Sequence, residues 1–391
     1  MPARHQVVVI GGGYAGTVAA NRLRRRTDVE VTLVNPRPEF VDRIRLHQYV
    51  ARTGEATLEY GTLLGAGVRL VVDRVTRIDT AARAVRLASG QALGYDHVVY
   101  AVGSSAAIPS SVPGAAEFAF GLAELEAARR LRDRLDRTPA DAPVTVVGGG
   151  LTGVETAAEL AEQGRRVTLV CGGALAPYLS APGRRYVARW LARHGVTVLE
   201  SAVVSEVRPD AVVLTGGGEL TVSVQAGGGE LASALTVWTA GFGVPALAAA
   251  SGLRTDELGR LLTDETLTSV DDDRIVAAGD AAAPSGRPLR MSGYAAVPLG
   301  AQAAATVLSH LDGTEPARAE VAFSGACLSL GRRAGLRQLA RRDDSVVNVF
   351  VGGRLGAVIK EMTCRMVVSK RLRDRGSKGG ARGGAVVIMG G

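Results

Sequence analysis

The feature that most constrains this chain is a glycine-spaced turn near its start, between an apolar run and a helical stretch. Residues 7–10 are β-branched and predict a buried parallel strand. Gly11, Gly13 and Gly16 follow with the spacing GxGxxG. The first glycine allows a tight turn, the second lets the backbone approach a pyrophosphate, and the third lets a helix pack on the strand. The turn therefore predicts a dinucleotide-binding unit.

Both flanks of the turn support this interpretation. Residues 17–26 are rich in Ala and Arg and predict the helix whose positive end faces the pyrophosphate. A second strand, at 29–34, ends about 20 residues after the turn, where such units contact a ribose. That position usually carries Asp or Glu, whereas here it carries Asn35. The amide of Asn35 can still bind a ribose hydroxyl, although the negative charge is lost.

The same pattern returns in the middle of the chain. A predicted strand at 143–147 leads into Gly148, Gly150 and Gly153, which repeat GxGxxG 137 residues after the first copy. A helical stretch and a further apolar strand follow, so the flanks repeat as well. Two such turns in one chain indicate an internal duplication of a nucleotide-binding unit.

Length and composition agree with a large α/β protein. The chain has 391 residues, of which 47% are hydrophobic and 50 are glycines, which is enough for two or three domains rich in tight turns. Cys171, Cys327 and Cys364 are odd in number and too widely spaced for a dithiol relay or a zinc site. Because neither a leader peptide nor a membrane span is indicated, the sequence predicts a cytoplasmic protein.

The net charge of +8 is concentrated in one stretch of the sequence. Residues 365–391 carry seven basic side chains against one acid, a net +6, so the remainder is nearly neutral. No aromatic residues alternate with the basic ones, so no nucleic-acid partner is predicted. Three interpretations of this basic tail stay open: a solvated end, a homodimer contact, and a peripheral contact with a membrane surface.

Apolar runs and glycine clusters predict further elements around the two turns. Strands are predicted at 68–78, 84–87, 236–242, 274–280, 346–351 and 355–359. Helices are predicted at 122–135, 186–194 and 298–310, and hairpin turns at 216–218 and 227–229.

Five motifs make the chain resemble a known group of flavoproteins. They are VVVIGGGYAG at 7–16, YDHVVYAVG at 95–103, VTVVGGGLTGVETAAEL at 144–160, VWTAGF at 237–242 and IVAAGD at 275–280. The chain resembles flavoproteins with two dinucleotide-binding domains, and within them the type II NADH dehydrogenase and apoptosis-inducing-factor-like branch. The resemblance implies an α/β fold with two Rossmann-like domains, one for FAD and one for NAD(P), and a small α+β C-terminal region.

The same resemblance divides the chain into parts. It implies an FAD-binding domain built from 1–110 and 246–315, an NAD(P)-binding domain at 111–245, and a C-terminal region with the basic tail at 316–391.

The resemblance also assigns binding residues, whereas the sequence itself indicates no cluster of metal ligands. It implies that FAD contacts Gly11, Gly13, Tyr14, Ala15, Gly16, Asn35, Pro36, Arg37, Arg43, Val75, Ala101, Gly103, Gly279, Asp280, Pro298 and Leu299. It implies that NAD(P)H contacts Gly148, Gly150, Leu151, Thr152, Gly153, Glu155, Cys171, Ala240 and Gly241.

Two residues are predicted to act closest to the chemistry. Glu155 would lie beside the nicotinamide; the alternative is an acidic residue in the first turn of its helix that interacts favourably with the helix dipole. Tyr294 stands where type II NADH dehydrogenases carry the first of their quinone-facing glutamines, and Pro298 and Leu299 replace the later pair. Tyr294 would either bind an aromatic acceptor or fill space over the flavin. Cys171 replaces the usual acid at the second ribose position, so the choice between NADH and NADPH stays open.

The resulting hypothesis is an FAD-dependent NAD(P)H oxidoreductase that passes hydride through flavin to a small organic acceptor, quinone-like or aromatic. The lost glutamines argue against a respiratory quinone site. Two alternatives stay open: a membrane-surface type II NADH:quinone reductase, and a redox-sensing flavoprotein of the apoptosis-inducing-factor-like type.

Overall fold

The computed structural model describes residues 4–216 and 229–368. Its β-strands in chain order are β1 (His5–Ile10), β2 (Val29–Asn35), β3 (Glu39–Val41), β4 (Thr57–Glu59), β5 (Val68–Val72), β6 (Val75–Asp79), β7 (Ala84–Leu87), β8 (Ala92–Gly94), β9 (His97–Tyr100), β10 (Ser105–Ala106), β11 (Ala119–Gly121), β12 (Pro143–Val147), β13 (Arg166–Val170), β14 (Thr197–Leu199), β15 (Ala202–Val207), β16 (Ala211–Gly216), β17 (Gly229–Ala232), β18 (Leu235–Trp238), β19 (Phe242–Gly243), β20 (Leu261–Thr263), β21 (Ile275–Ala277), β22 (Ala282–Pro284), β23 (Gly325–Leu330), β24 (Ala334–Ala340) and β25 (Val346–Gly352). Its α-helices are α1 (Tyr14–Leu23), α2 (Leu46–Val50), α3 (Tyr60–Leu63), α4 (Ala115–Phe118), α5 (Leu125–Arg137), α6 (Leu151–Glu162), α7 (Ala181–Arg193), α8 (Leu247–Ala250), α9 (Gly293–Leu311) and α10 (Gly353–Met366).

The first glycine turn follows the central strand of a five-stranded parallel sheet with the order β21-β9-β1-β2-β5. Val7 to Ile10 of β1 are buried on both faces: Val7 and Val9 share a core cluster with α1 and α9, whereas Val8 and Ile10 share one with β6 and β7. Strand β21 comes from far along the chain but pairs in parallel with β9. The segment after β21 therefore reaches the same edge of the sheet as Gly11, which is the edge where ligands bind in such sheets.

The second glycine turn follows the central strand of another five-stranded parallel sheet, with the order β11-β18-β12-β13-β14. Strand β12 pairs with β13 in the same way that β1 pairs with β2, and a helix connects the strands in each case. The predicted α/β fold with two Rossmann-like units is confirmed. The domain boundaries predicted from the sequence stay predictions.

Three smaller antiparallel sheets surround the parallel ones: β6-β7-β8, β15-β16-β17 and β23-β24-β25. The single strand predicted at 68–78 is wrong, because it divides into β5 of the first parallel sheet and β6 of an antiparallel sheet. The predicted hairpin turns at 216–218 and 227–229 fall largely within 217–228, outside the described residues.

The strand predicted at 355–359 is also wrong, because these residues belong to helix α10. A short apolar run does not distinguish a strand from a helix, and here tertiary packing decides. A Cβ on Gly356 would lie 2.4 Å from the carbonyl oxygen of Gly335, so the helix backbone rests directly on β24. Lys360 and Cys364 on the same helix are buried.

Two predicted helices begin earlier than expected. Helix α7 begins at Ala181 and α9 at Gly293, and in each the preceding serine caps the helix with its side chain. Pro298, expected at the start of a helix, lies inside α9. Serine is among the strongest N-cap residues, which explains the earlier starts.

The C-terminal region packs against the second unit and against α2. Leu328, Leu330 and Leu336 of its sheet share one core cluster with Val187 of α7. Val367 and Val368, which follow α10, instead join the core of the first unit. This region therefore ties both nucleotide-binding units together. Within 4–216 and 229–368, no helix is both long and apolar enough to cross a bilayer.

Helix α9 positions the N-terminal turn of α1, and one glycine allows this contact. A Cβ on Gly300 would lie 2.2 Å from the carbonyl oxygen of Ala15 and 2.7 Å from its Cα. We expect Gly300→Ala to push α9 from α1 and to lower the free energy of unfolding by about 1–3 kcal/mol. Urea denaturation measures this loss. Gly61→Ala is the control, because a Cβ on Gly61 would meet no atom within 4 Å; equal destabilisation by both variants would contradict the packing argument.

Candidate functional site

The first glycine turn is shaped by contacts that exclude any side chain. Gly11 has a φ of +99°, and a Cβ on it would lie 2.3 Å from the carbonyl oxygen of Ala101. A Cβ on Gly16 would lie 1.8 Å from the carbonyl oxygen of Gly11. A Cβ on Gly13, by contrast, would meet no atom within 4 Å. The turn is therefore closed on its packed side and open at Gly13, where α1 begins.

A cleft opens at this turn. The predicted FAD-binding residues that line it are Gly11, Gly13, Tyr14, Ala15, Asn35, Arg37, Arg43, Ala101, Gly103, Gly279 and Asp280. The other predicted residues, Gly16, Pro36, Val75, Pro298 and Leu299, are not among those that line it. Val75 begins β6, and Leu299 lines a separate cavity. Direct contact of these five residues with FAD stays a prediction.

Asp280 joins three segments at one end of the cleft. Its Oδ2 accepts a hydrogen bond from Ser104 Oγ at 2.7 Å, and its Oδ1 accepts one from the backbone N–H of Ser292 at 3.1 Å. Arg43 donates to the carbonyl oxygen of Ser104 at 2.8 Å. Because Ser292 caps α9, the carboxylate is tied to the N-terminus of that helix. Sequence reasoning missed Ser104, which follows Gly103, the last residue of the motif at 95–103.

The ribose position of the first unit is held by backbone contacts of the turn itself. Asn35 Oδ1 accepts the N–H of Gly12 at 3.0 Å, and the Asn35 amide donates to the carbonyl oxygen of Arg37 at 2.9 Å. Tyr60 donates its hydroxyl to the carbonyl oxygen of Gly12 at 2.7 Å. Tyr60 also lines the cleft. No sequence pattern links Tyr60 to a turn 48 residues earlier, so sequence reasoning missed it.

Arg37, which lines the cleft, connects the two units. Its guanidinium pairs with the Glu126 carboxylate of α5 through contacts of 2.5 and 2.6 Å. The hydrogen bond to Glu126 raises the pKa of Arg37, and the same bond lowers the pKa of Glu126 to about 2. Glu124 and Leu125, at the start of α5, also line the cleft.

These residues fit FAD. The open backbone at Gly13 and the N-terminus of α1 suit a pyrophosphate, because free N–H groups and the helix dipole both favour negative charge. Asp280, at a strand end, is a strong acceptor for hydroxyl groups. When bound, FAD supplies a ring that takes up hydride and passes two electrons onward.

The second glycine turn repeats the geometry of the first. Gly148 has a φ of +121°, and a Cβ on Gly153 would lie 1.8 Å from the carbonyl oxygen of Gly148. A Cβ on Gly150 would meet nothing within 4 Å. Leu151 and Thr152 then begin α6, and Ala240 and Gly241 follow β18 of the same sheet. The turn is therefore open at Gly150 as the first is at Gly13, which fits the pyrophosphate of NAD(P)H.

Cys171 occupies in the second unit the position that Asn35 occupies in the first. A Cβ on Gly149 would lie 2.8 Å from Cys171 Cβ, and a Cβ on Gly12 would lie 3.1 Å from Asn35 Cγ. Burial raises the pKa of the Cys171 thiol to about 12, so the thiol is neutral. A neutral side chain here neither attracts nor repels a 2′-phosphate, so this position does not select between NADH and NADPH.

Glu155 lies in a buried ion pair that was not predicted. Its Oε1 is 2.8 Å from Lys360 Nζ of α10 and accepts the backbone N–H of Ser329 at 2.9 Å. His47 Nδ1 of α2 is 3.9 Å from its Oε2. The pair therefore joins α6 to α2 and to the C-terminal region. The position of Glu155 beside the nicotinamide stays a prediction.

Burial and charge act in opposite directions on this cluster. Burial alone would raise the pKa of Glu155, but Lys360 and His47 lower it below its usual value. Burial would lower the pKa of Lys360, but Glu155 raises it. Burial lowers the pKa of His47 to about 4, so its imidazole is neutral near pH 7. The cluster therefore contains one cation and one anion that compensate each other.

Tyr294 faces the C-terminal region. Its hydroxyl lies 3.1 Å from Ser324 Oγ and donates to the carbonyl oxygen of Ala322 at 3.3 Å. Its ring stacks on Phe323 with the centroids 5.9 Å apart. Ala296, two residues later in α9, lines the cleft, whereas Tyr294 is not among the residues that line it. A role for Tyr294 in binding the acceptor stays a prediction.

Comparison with known proteins places these features in a family. Residues 5–305 match the sequence profile described as pyridine nucleotide-disulphide oxidoreductase. An NADH dehydrogenase-like protein of Mycobacterium tuberculosis is 34% identical over 307 residues, which cover 71% of this chain and 73% of that protein. A type II NADH:quinone oxidoreductase of the same organism is 27% identical over 361 residues, which cover 82% of this chain and 75% of that protein.

A solved structure shares the fold over nearly the whole chain. NDH2 of Plasmodium falciparum, solved in complex with NADH, superposes with a TM-score of 0.78 and covers 95% of this chain and 96% of that one. The two sequences are 14% identical, so this likeness shows the fold alone.

The contacts of Asp280 lead to a testable expectation for FAD. Asp280→Ala removes the acceptor for Ser104 and for the cap of α9, and it removes an acceptor for cofactor hydroxyls. Because a hydrogen bond to a charged group contributes about 1.5–3 kcal/mol, we expect the Kd for FAD to rise about 10- to 100-fold. Flavin fluorescence during titration measures the Kd. Asp273→Ala, an exposed carboxylate close in sequence, is the control; an unchanged Kd in Asp280→Ala would contradict this role.

Proposed function

The chain belongs to the pyridine nucleotide-disulphide oxidoreductase family, and we propose that it reduces a small quinone-type acceptor with electrons from NAD(P)H. The protein is an FAD-dependent pyridine nucleotide oxidoreductase. The proposal therefore concerns the acceptor, to which the flavin passes its electrons. The relative named as a type II NADH:quinone oxidoreductase supports a quinone.

The cysteines argue against a disulphide as the acceptor. The whole sequence has three cysteines, and all three are free thiols. Cys171 lies at the second glycine turn, whereas Cys327 and Cys364 lie in the C-terminal region. Burial raises the pKa of each thiol, so none is an activated thiolate near pH 7. The chain therefore lacks an activated cysteine pair that could exchange with a disulphide substrate.

The observation that carries the proposal is the buried pair of Glu155 and Lys360, 2.8 Å apart. Reduction of a quinone to its hydroquinone takes two electrons and two protons, whereas NAD(P)H delivers two electrons with only one hydrogen. The second proton must come from solvent, and a buried set of exchangeable groups can deliver it. Glu155, Lys360, Ser329 and His47 form a buried, hydrogen-bonded set that can exchange protons, and Glu155 lies in the second turn of the helix that begins at the nucleotide turn.

Stopped-flow kinetics tests this proposal. We expect NADH or NADPH to reduce the bound flavin rapidly, and a soluble naphthoquinone to reoxidise it. We expect Glu155→Gln to lower quinone reduction by about 100-fold, because proton transfer by a positioned group contributes about that much. Ferricyanide accepts electrons without protons and serves as the matched control. Its reduction should change little in Glu155→Gln.

Two outcomes would contradict the proposal. Equal losses with quinone and ferricyanide would mean that Glu155 supports the fold or nucleotide binding rather than proton transfer. Slow flavin reduction by both nucleotides, with a long-lived charge-transfer band and no fast acceptor, would instead favour a redox-sensing flavoprotein.

A specific surface favours the second candidate, a reductase that works at a membrane surface. Leu355, Val358, Met362 and Met366 form one face of α10, and the first three expose 59%, 53% and 53% of their surface. In the sequence, six basic residues follow between 370 and 382. An apolar helix face that is followed in the sequence by basic residues suits an interface rich in anionic lipid. We propose a peripheral membrane contact here.

Vesicle co-sedimentation tests this contact. We expect the protein to sediment with vesicles that contain anionic lipid, and the triple variant Leu355→Gln, Val358→Gln, Met362→Gln to stay in the supernatant. Val203→Gln is the control, because Val203 is also apolar and 48% exposed but lies on β15 rather than on α10. Wild-type protein that stays in the supernatant would overturn the proposal. Loss of a dimer in the triple variant, measured by sedimentation velocity, would assign this face to a homodimer instead.

A further inference from the structure

Glu159 is a buried carboxyl group that no role described above uses. It exposes 1% of its surface and lies one turn after Glu155 in α6. Thr53 Oγ1 donates to its Oε2 at 3.0 Å. Its Oε1 has no hydrogen-bond partner in the structure. A carboxylate with a buried and unsatisfied oxygen is costly, so this environment favours the protonated form.

The nearest cation, Arg332, compensates the negative charge of an ionised Glu159 only partly. Arg332, in the turn between β23 and β24, places Nη1 3.7 Å from Glu159 Oε1, too far for a hydrogen bond. The same guanidinium lies 3.6 Å from the Glu361 carboxylate, so its charge is shared. Glu162 and Glu155 on α6 are the other charged groups that face Glu159. Burial raises the pKa of Glu159 to about 7, Thr53 and Arg332 oppose the shift, and the two carboxylates add to it.

The position of Glu159 places it between solvent and the Glu155–Lys360 pair. Residues four apart on a helix lie on the same face. Glu155 is nearer the nucleotide turn, and Glu159 is nearer the outer end of α6. Thr53 and Arg332 cover Glu159, and the Arg332 side chain is 36% exposed. Glu159 is therefore one side chain below the surface and one helical turn from the buried pair.

We propose that Glu159 carries protons from solvent to the Glu155–Lys360 pair while the acceptor is reduced. This inference rests on the proposed quinone-type acceptor. For each hydroquinone formed, NAD(P)H supplies two electrons and one hydrogen as hydride, and solvent supplies one proton. Lys360, the cation of the pair, gives a proton to the acceptor, and Glu159 restores that proton through the Glu155 carboxylate, which is ionised at rest. Glu159 then takes up a proton from water. No other oxidant or reductant is needed.

A purely structural role for Glu159 leads to different expectations. If Glu159 only anchored the turn between β23 and β24 through Arg332, its replacement would change stability and affect all acceptors alike. A proton carrier instead controls only reactions that consume protons, and its effect follows its own ionisation. The pH profile and the choice of acceptor therefore separate the two roles.

The first test compares Glu159→Gln with Asp272→Asn, which replaces a buried carboxyl group of the first unit that pairs with Arg274. We expect wild-type quinone turnover to fall about tenfold per pH unit above pH 7, because the protonated fraction of Glu159 falls by that factor. In Glu159→Gln, quinone turnover at pH 7 should be about tenfold lower, and it should no longer decrease as the pH rises above 7. Ferricyanide reduction should stay unchanged, and Asp272→Asn should retain the wild-type profile. A wild-type pH profile in Glu159→Gln would overturn the inference.

The second test does not depend on turnover. We expect infrared spectra of the wild-type protein to show the carbonyl band of a protonated carboxylic acid, lost with a midpoint near pH 7 and absent in Glu159→Gln. No such band between pH 5 and pH 9 in the wild type would overturn the inference even if the variant failed to fold. Wild-type protein that shows the band but reduces no quinone would refute the proposed acceptor and leave Glu159 as a buried acid without this function.

Discussion

The structure depends on two places where one backbone touches another without room for a side chain. In each glycine turn, the third glycine lies so close to the first that a Cβ would fall 1.8 Å from a carbonyl oxygen. This contact sets the direction in which α1 and α6 leave their sheets. It also leaves the middle glycine of each turn open, so a phosphate can approach the N–H groups at the helix start. The same close packing thus builds the core and the two phosphate sites.

A second constraint is the buried ion pair that holds the C-terminal region on α6. Burying two charges costs desolvation free energy, so a salt bridge such as Glu155–Lys360 is weak support for stability. Its main effect is to fix the position of α10 relative to α6. Lys360 reaches Glu155 only when α10 packs on β24, where Gly356 contacts Gly335. The ion pair therefore places an exchangeable proton next to the nucleotide-binding helix and closes that helix from solvent. Glu159, one turn outward, remains nearest to the surface on the same face.

Much of the fold was predictable because it follows from local rules. The two glycine turns, their flanking strands and the helices after them all lie within about 30 residues in a βαβ unit. The errors arose where tertiary contacts outweighed local pattern. Residues 355–359 form a helix because Gly356 and Lys360 pack against the C-terminal sheet, and α9 begins before Pro298 because Ser292 caps it and is bound by Asp280. Neither contact is visible in a short window of sequence.

The sequence by itself determined the two phosphate-binding turns, since the GxGxxG spacing is local and a side chain on Gly16 or Gly153 would collide with the first glycine of its own turn. It also determined that Asn35 and Cys171 stand where acids usually do. Tertiary structure alone decided which side chains surround these turns. Three contacts join residues that are far apart in the sequence. Tyr60 binds Gly12, Ser104 binds Asp280 and Lys360 pairs with Glu155, at separations of 48, 176 and 205 positions. Such pairs form because separate elements bury their apolar faces together, and that packing is set by the whole chain rather than by any one motif.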